Sequence, residues 1–175
     1  MKVNYRIEAI KELLNRDCVL ERYYPLILIK DKLIDLCISK NCFTKEECMK
    51  LPDEVMLQSG LINLTEINLF RCFLSMYDIN NLKLKEIDGL TLTDEEIIAF
   101  KELYLLPGVK STRAFLYCKS GFKSLSDIAN STSQEIIEKI THAVNKYSLN
   151  CKVPLVKEVK THIAVSRAFT IYRVD

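Results

Sequence analysis

The sequence predicts an all-α protein built from about nine short helices joined by tight turns. It contains four glycines, four prolines and no tryptophan, fewer turn residues than a β-sandwich or barrel of 175 residues needs. Apolar residues recur at helical spacing through most segments. Three capping boxes, each a threonine followed three residues later by a glutamate, mark helix starts at Thr44, Thr93 and Thr132.

The first half of the chain is predicted to be helical throughout. In each segment the apolar residues recur every three to four positions, which gives the helix one buried face. Pro25 suits the first turn of the second helix, where its missing N–H removes no hydrogen bond. The predicted helices cover residues 7–16, 26–38, a short stretch after Thr44, a brief stretch ending at Gly60, and 65–77, followed by a short helix or turn over 83–87.

A helical hairpin is predicted in the second half. The helix that starts at Thr93 runs into Leu105-Leu106-Pro107-Gly108, where proline presets φ and glycine supplies the positive φ of the second corner. The second helix of the hairpin starts near Lys110. It stops at Gly121, whose left-handed conformation allows Phe122 to fold back onto the helix.

Three more helices are predicted after the hairpin. Ser124 caps the first of them, which ends at Ala129, and the others cover residues 132–147 and 156–168. The stretch 120–128 repeats the residue types of 59–67, with a Ser-Gly pair at the start of each. Internal duplication and a shared way of joining short helices both explain this similarity.

Both ends of the chain alternate between apolar and polar residues. Val3, Tyr5 and Ile7 lie on one side of a short N-terminal strand, and residues 169–174 are rich in strand-forming types. The two ends are therefore predicted to pair as a small two-stranded ribbon on a helical layer. The domain prediction is an N-terminal helical subdomain, 1–82, and a second subdomain, 83–175, which share one core.

Composition and charge exclude several classes of protein. The net charge of +2 is too small to imply a polyanionic partner by itself. The longest apolar run, residues 25–29, is far too short to cross a bilayer. Seven cysteines without a Cys-x-x-Cys pair, and no signal peptide ahead of them, predict reduced thiols in a cytoplasmic protein.

No motif for catalysis or cofactor binding is present in the sequence. Cys37, Cys42 and Cys48 have the wrong spacing for a zinc site, and both histidines lie in helical patterns far from any cysteine. The acidic group at residues 94–96 is explained by its place in the first turn of a helix. A Gly-rich phosphate loop, a nucleophile elbow and an HExxH motif are all missing. We therefore expect a non-enzymatic protein without cofactor or metal.

The hairpin residues carry a resemblance to a known module. Residues 102–140 resemble helix-hairpin-helix modules, with a Leu-Pro-Gly-Val turn, a small residue at Ala114 and a Ser-Gly-Phe exit. The residues that follow, 123–136, are similar to the N-terminal domain of archaeal recombinases. Residues 154–159, leading to the apolar C-terminus, are similar to a bacterial family of uncharacterised tandem helix-hairpin-helix proteins. The resemblance covers residues 84–174 and implies degenerate tandem helix-hairpin-helix units.

The resemblance also implies a site. In such modules, backbone amides at the turn and at the start of the second helix face a nucleic-acid phosphate, as orphan N–H donors favour. The implied nucleic-acid-binding residues are Gly108, Val109, Lys110, Ser111, Thr112 and Arg113. Lys110 stands where these modules commonly have a second glycine. Either the charge of Lys110 attracts the phosphate, or its side chain blocks the approach of the backbone to the phosphate.

Charges and aromatic residues leave two functions open. Residues 101–123 carry five basic side chains and one acidic side chain, and a solvated helical surface is the alternative to a phosphate-binding face. Tyr23, Tyr24, Tyr104 and Tyr117 are candidates for stacking on bases or for core packing. We expect a module that binds DNA or RNA without sequence specificity and does not bind a membrane. The alternative is a protein-protein interaction or scaffolding module in which the hairpin is purely structural.

Overall fold

The computed structural model of the chain describes residues 3–76, 78, 90–106 and 108–175. The prediction of an all-α fold is confirmed, with ten α-helices and no sheet among these residues. Short 3-10 turns, Ile7–Ala9 and Glu21–Tyr23, precede the first two. The helices are α1 (Ile10–Leu13), α2 (Tyr24–Ser39), α3 (Lys45–Lys50), α4 (Asp53–Leu57), α5 (Leu64–Met76), α6 (Asp94–Leu103), α7 (Ser111–Lys119), α8 (Leu125–Ala129), α9 (Ser133–Lys146) and α10 (Val156–Thr170).

The three predicted capping boxes are confirmed at the starts of α3, α6 and α9. In each, the threonine side chain accepts a hydrogen bond from the N–H three residues on, and the glutamate there accepts from the threonine N–H. Ser124 and Asp127 form a fourth box at the start of α8. The start of α5 has the same arrangement, with Asn63 and Glu66 exchanging hydrogen bonds of 2.9 Å.

The end of α7 has the predicted left-handed cap. Gly121 has φ +89°, and its N–H donates to the Cys118 carbonyl at 3.0 Å. The Phe122 N–H donates to the Tyr117 carbonyl at 3.1 Å, and the two rings meet edge to face with centroids 5.8 Å apart. This is a Schellman motif with its apolar contact, and it fixes the direction in which the chain leaves the hairpin.

Substitutions at two left-handed positions should differ in their effect on stability. We expect Gly121→Ala to lower the free energy of unfolding by about 1 kcal/mol, because a Cβ there meets open space and only the backbone is strained. Asn41 has φ +56° at the corresponding place after α2. Asn41→Gly should therefore be neutral or stabilising. Urea denaturation of both variants measures the difference, and equal losses at the two positions would contradict it.

One way of joining helices recurs along the chain. A residue with positive φ is followed three positions later by the N-cap of the next helix, at Asn41–Thr44, Gly60–Asn63 and Gly121–Ser124. The Asn41 and Gly121 copies also share an acidic side chain that accepts from two successive N–H groups. The similarity seen in the sequence thus has a local structural basis in the turn.

The last helix, α10, lies at the centre of the packing. It contacts α1, α8 and α9, while α6 and α9 pack against α7, and α2 packs against α1 and α5. Buried apolar residues from both halves of the chain belong to one core cluster. The division into subdomains 1–82 and 83–175 stays a prediction. Its boundary, the predicted helix or turn at 83–87, Tyr77 and Pro107 lie outside the described residues.

The predicted terminal ribbon is reduced to isolated bridges. Tyr5 pairs with Arg173 and Arg6 pairs with Thr44, each in antiparallel fashion, and no strand forms in the described part of the chain. The strand prediction for residues 169–174 is wrong at its start, since Phe169 and Thr170 belong to α10. Phe169 is buried in the core, so the packing of α10 outweighs the strand preference of these residues.

The first helix is shorter than predicted. It ends at Leu13, whereas the sequence pattern continues to residue 16. The side chain of Asn15 accepts a hydrogen bond from the Asp17 N–H at 3.0 Å, a local turn that competes with the helix. None of the described helices has the length and apolar character required to span a membrane.

Candidate functional site

The predicted turn is exposed and tightly hydrogen-bonded. Gly108 has φ +75° and lies in open space, so the chain can approach a ligand closely there. Val109 is buried, and its N–H donates to the Leu106 carbonyl at 3.1 Å. The Val109 amide is therefore used within the turn. Gly108 and Lys110, on either side of it, are exposed.

Lys110 occupies the N-cap position of α7. Its φ of −97° and ψ of 168° are extended, so the backbone requires no glycine there. Among the described residues no side chain caps this helix, and the same holds for α1, α2, α4 and α10, whereas side chains cap α3, α6, α8 and α9. The first-turn amides of Ser111 and Thr112 belong to the donors that a helix leaves without partners of its own. The start of α7 thus combines uncapped donors with an exposed lysine.

Arg113 has a structural contact. Its Nε and Nη2 donate to the two carboxylate oxygens of Glu158 at 2.6 and 3.1 Å, and Nη1 donates to the Lys152 carbonyl. Such a bidentate pair holds the guanidinium in a fixed plane. Because Glu158 lies in the first turn of α10, Arg113 joins the N-terminus of α7 to that of α10. Arg113 is thus engaged by the protein itself.

Ion pairs divide the predicted basic run into two parts. At the far end of α7, Lys119 lies 2.9 Å from Glu96, and Lys123 lies 4.0 Å from Glu95. The acidic start of α6 therefore neutralises that end of the hairpin. The turn end differs, because no ion pair is found for Lys110 within the described ranges.

Further cations surround the start of α10. Lys152 and Lys157 are exposed and, like Lys110, have no ion-pair partner among the residues that the structure describes. Lys160 donates to Asp17 at 2.8 Å. That hydrogen bond holds the pKa of Asp17 below its usual value and raises the pKa of Lys160. Positive charge therefore exceeds negative charge from the α7 turn to the first turns of α10.

A buried polar pair lies beneath this surface. The Tyr117 hydroxyl and the Nδ1 atom of His162 are 2.5 Å apart and form a hydrogen bond between α7 and α10. Burial raises the pKa of Tyr117 and lowers the pKa of His162 to about 4. Tyr117 is thus a core residue. Tyr23 is also buried, edge to face with Phe73, and Tyr104 stacks on Phe100.

The cysteines do not form a recognisable centre. All seven are described, and none forms a disulfide. Cys37, Cys42 and Cys48 meet around the turn between α2 and α3, where the Cys48 thiol lies 3.8 Å from the Cys42 carbonyl. Within the described residues, no group of three or more histidine, cysteine or acidic side chains is arranged to hold a metal ion.

Known proteins were compared with the chain at the level of family models, curated sequences and solved structures. None matches. The assignment to a helix-hairpin-helix family thus stays a prediction, as does the phosphate contact at the turn.

Sequence reasoning missed the partners that complete the site. Glu158 fixes Arg113, and the Lys152 carbonyl accepts from it, yet both lie about forty residues further along the chain. Arg16, Lys157 and Lys160 come together at the start of α10, although Arg16 belongs to the N-terminal half. No local pattern links such distant residues. The one local signal was Lys110, which stands at the N-cap position where α3, α6, α8 and α9 have threonine or serine.

Proposed function

We propose that the chain is a non-enzymatic binding module that contacts nucleic-acid phosphates at the start of α7. The contact would be made by Gly108, Lys110, Ser111 and Thr112. The Arg113–Glu158 pair carries this proposal, because it brings the uncapped start of α7 next to the first turn of α10, where Lys152 and Lys157 are exposed. Arg113 then positions the surface, and Val109 supports the turn from the core.

The physical basis is the match between this surface and a phosphate. Unpartnered N–H groups at a helix start bear partial positive charge and point at an incoming anion. Exposed lysines add attraction that acts over about 10 Å at moderate salt and weakens as salt rises. Base edges are not needed for such contacts, so we expect little sequence preference.

Charge reversal at Lys110 tests the proposal. Labelled single-stranded and duplex DNA and RNA would be titrated with the protein at increasing salt. We expect Lys110→Glu to weaken binding about tenfold or more and to reduce the salt dependence by about one counterion. Lys110 is a better choice than Arg113, whose replacement would also break the contact with Glu158.

Lys40 provides the matched control. Lys40 is exposed at the end of α2, far from Lys110 in the sequence. Lys40→Glu makes the same change of net charge as Lys110→Glu. Binding should survive Lys40→Glu and decline with Lys110→Glu. If Lys40→Glu and Lys110→Glu weaken binding equally, the nucleic acid is attracted by the overall charge of the protein and not by the α7 turn. Absence of binding at low salt would refute the proposal.

A second candidate function is a protein-protein interaction or scaffolding module. Leu57, Leu61 and Leu64 surround the turn between α4 and α5 and are 40%, 51% and 51% exposed. Neighbouring exposed leucines of this kind often belong to a contact surface. Failure of the protein to bind nucleic acid at low salt would favour this second function.

A further inference from the structure

A groove borders the start of α10. It has a volume of about 420 Å³ and is open to solvent. Pockets that hold small ligands have about 300–1,000 Å³, so the groove has room for a group of nucleotide size. Its walls come from both halves of the chain. The lining residues are Arg16, Asp17, Tyr24, Val156, Lys157 and Lys160.

The groove is basic. Arg16, Lys157 and Lys160 supply three positive side chains, and Asp17 is the one acidic residue among those that line it. Asp17 is already paired with Lys160 at 2.8 Å. Arg16 and Lys157 are exposed and lack an ion-pair partner within the described ranges. An anion entering the groove would therefore meet two uncompensated cations.

The groove also has aromatic and apolar surface. The guanidinium carbon of Arg16 lies 5.3 Å from the centroid of the Tyr24 ring, which is half-buried at the start of α2. Arginine planes and aromatic rings are the surfaces on which unpaired bases stack. Val156 also lines the groove and is 52% exposed. A ligand with a flat apolar part and a negative part would satisfy both kinds of surface.

We propose that this groove binds an unpaired stretch of nucleic acid, with a base against Arg16 and Tyr24 and a phosphate against Lys157. The identity of the partner rests on the proposed function, and the groove specifies its single-stranded form. Bases in a duplex are stacked on each other and cannot enter, whereas a single strand can turn them outward.

The groove and the turn are parts of one surface. Lys157 lines the groove, and the next residue, Glu158, accepts from Arg113 of α7. A strand whose phosphate meets the α7 turn can therefore continue past Lys157 into the groove. This continuity predicts that a single strand binds more tightly than a duplex of the same length, because a duplex reaches only the turn.

The test compares a labelled oligothymidylate, a duplex of equal length and inorganic polyphosphate, which has no bases. We expect Tyr24→Leu to weaken oligothymidylate binding about fivefold to a hundredfold and to leave duplex and polyphosphate binding unchanged. Tyr24→Phe keeps the ring and should bind like the unmodified protein. Arg16→Gln should weaken oligothymidylate binding through the lost contact with the base. Lys157→Gln should reduce the salt dependence of that binding by about one counterion.

Matched controls separate the groove from the turn. Lys40→Gln removes a charge from the other end of α2, about 24 Å from Tyr24, and should leave binding unchanged. Thermal unfolding followed by circular dichroism confirms that each variant is folded. If Tyr24→Leu and Arg16→Gln bind oligothymidylate normally while Lys110→Glu does not, the groove proposal is wrong and the proposed function stands.

The remaining outcomes also decide between the two proposals. Loss of oligothymidylate binding with groove variants but not with Lys110→Glu would support the groove and reject the turn. Equal loss for polyphosphate and oligothymidylate with Tyr24→Leu would show that the ring acts through the fold and would overturn base stacking. Equal loss for duplex and single strand would overturn the single-stranded assignment. Absence of binding by all three probes at low salt would overturn both proposals.

Discussion

A chain that begins at residue 24, without α1, should not fold cooperatively. The deleted segment supplies seven apolar side chains with 0% exposure. They are Tyr5, Ile7, Ala9, Ile10, Leu13, Leu14 and Val19. Burial of one large apolar side chain contributes about 1.5–3 kcal/mol, so their sum is on the order of 10–20 kcal/mol. The apolar surfaces of α2 and α10 that pack against these side chains would be exposed to water, and the net stability of an ordinary domain is only about 5–15 kcal/mol.

The position of α1 explains why the loss would spread. It contacts α10 on one side and α2 on the other, and the preceding residues pair with the C-terminus. The Arg6 N–H donates to the Tyr172 carbonyl at 2.7 Å, and the Val174 N–H donates to the Asn4 carbonyl at 3.1 Å. Removing the segment therefore exposes the central helix and separates the two predicted subdomains.

Circular dichroism during heating and hydrogen exchange measure this effect. The full chain should unfold in one sigmoidal transition, and the shortened chain should lose its ellipticity gradually with little amide protection. Leu13→Ala in the full chain is the matched control, since it should lose about 2–5 kcal/mol and still unfold in one step. A sigmoidal transition in the shortened chain at an unchanged temperature would contradict the prediction.

The elements that could be predicted from the sequence depend on neighbouring residues. A capping box acts over three positions, so Thr44, Thr93 and Thr132 identify helix starts without knowledge of the fold. The left-handed cap at Gly121 is local as well, because its hydrogen bonds connect residues three and five positions apart. The all-α class and the ends of α7 follow from such signals.

The elements that could not be predicted depend on contacts across the chain. Residues 169–174 favour a strand by composition, yet α10 continues to Thr170 because Phe169 is buried there. The Arg113–Glu158 and Tyr117–His162 pairs each join residues 45 positions apart. Neither pair produces a periodic pattern of residue types in the sequence. The sequence therefore located the turn and its exposed lysine, but not the carboxylate that fixes Arg113 or the groove beside α10.

Acidification from pH 6.5 to about pH 4 should destabilise the protein by about 3 kcal/mol through His162. Its pKa is about 4 in the folded chain, chiefly because burial disfavours the charged ring, against a usual value of 6.5. Between these values the unfolded chain binds the proton and the folded chain does not, so stability rises with pH across this window. The contribution of the neutral His162 ring to the free energy of unfolding is fully present above pH 6.5 and is lost as the pH falls to about 4.

The surroundings of His162 support this direction. The ring is 4% exposed, and its Nδ1 atom is hydrogen-bonded to the Tyr117 hydroxyl. Glu158 favours the charged form of the ring and Arg113 opposes it. These two partners face each other in an ion pair, which leaves burial as the larger influence. Protonation would place a positive charge between α7 and α10 near the guanidinium of Arg113.

Denaturation in urea at a series of pH values measures the loss. About 1–2 kcal/mol should disappear between pH 6.5 and about pH 5. This range lies above the usual pKa of the carboxylates Asp17, Glu47 and Glu135, whose pKa values are lowered in the folded chain, so neither state yet takes up protons at them. His162→Gln keeps a polar side chain for Tyr117 and should remove most of the slope in this range. His142→Gln, at the exposed histidine of α9, should leave the slope unchanged. If His162→Gln and the unmodified protein lose the same stability on acidification, the ring is not the group that titrates, and the surface carboxylates would have to account for the loss.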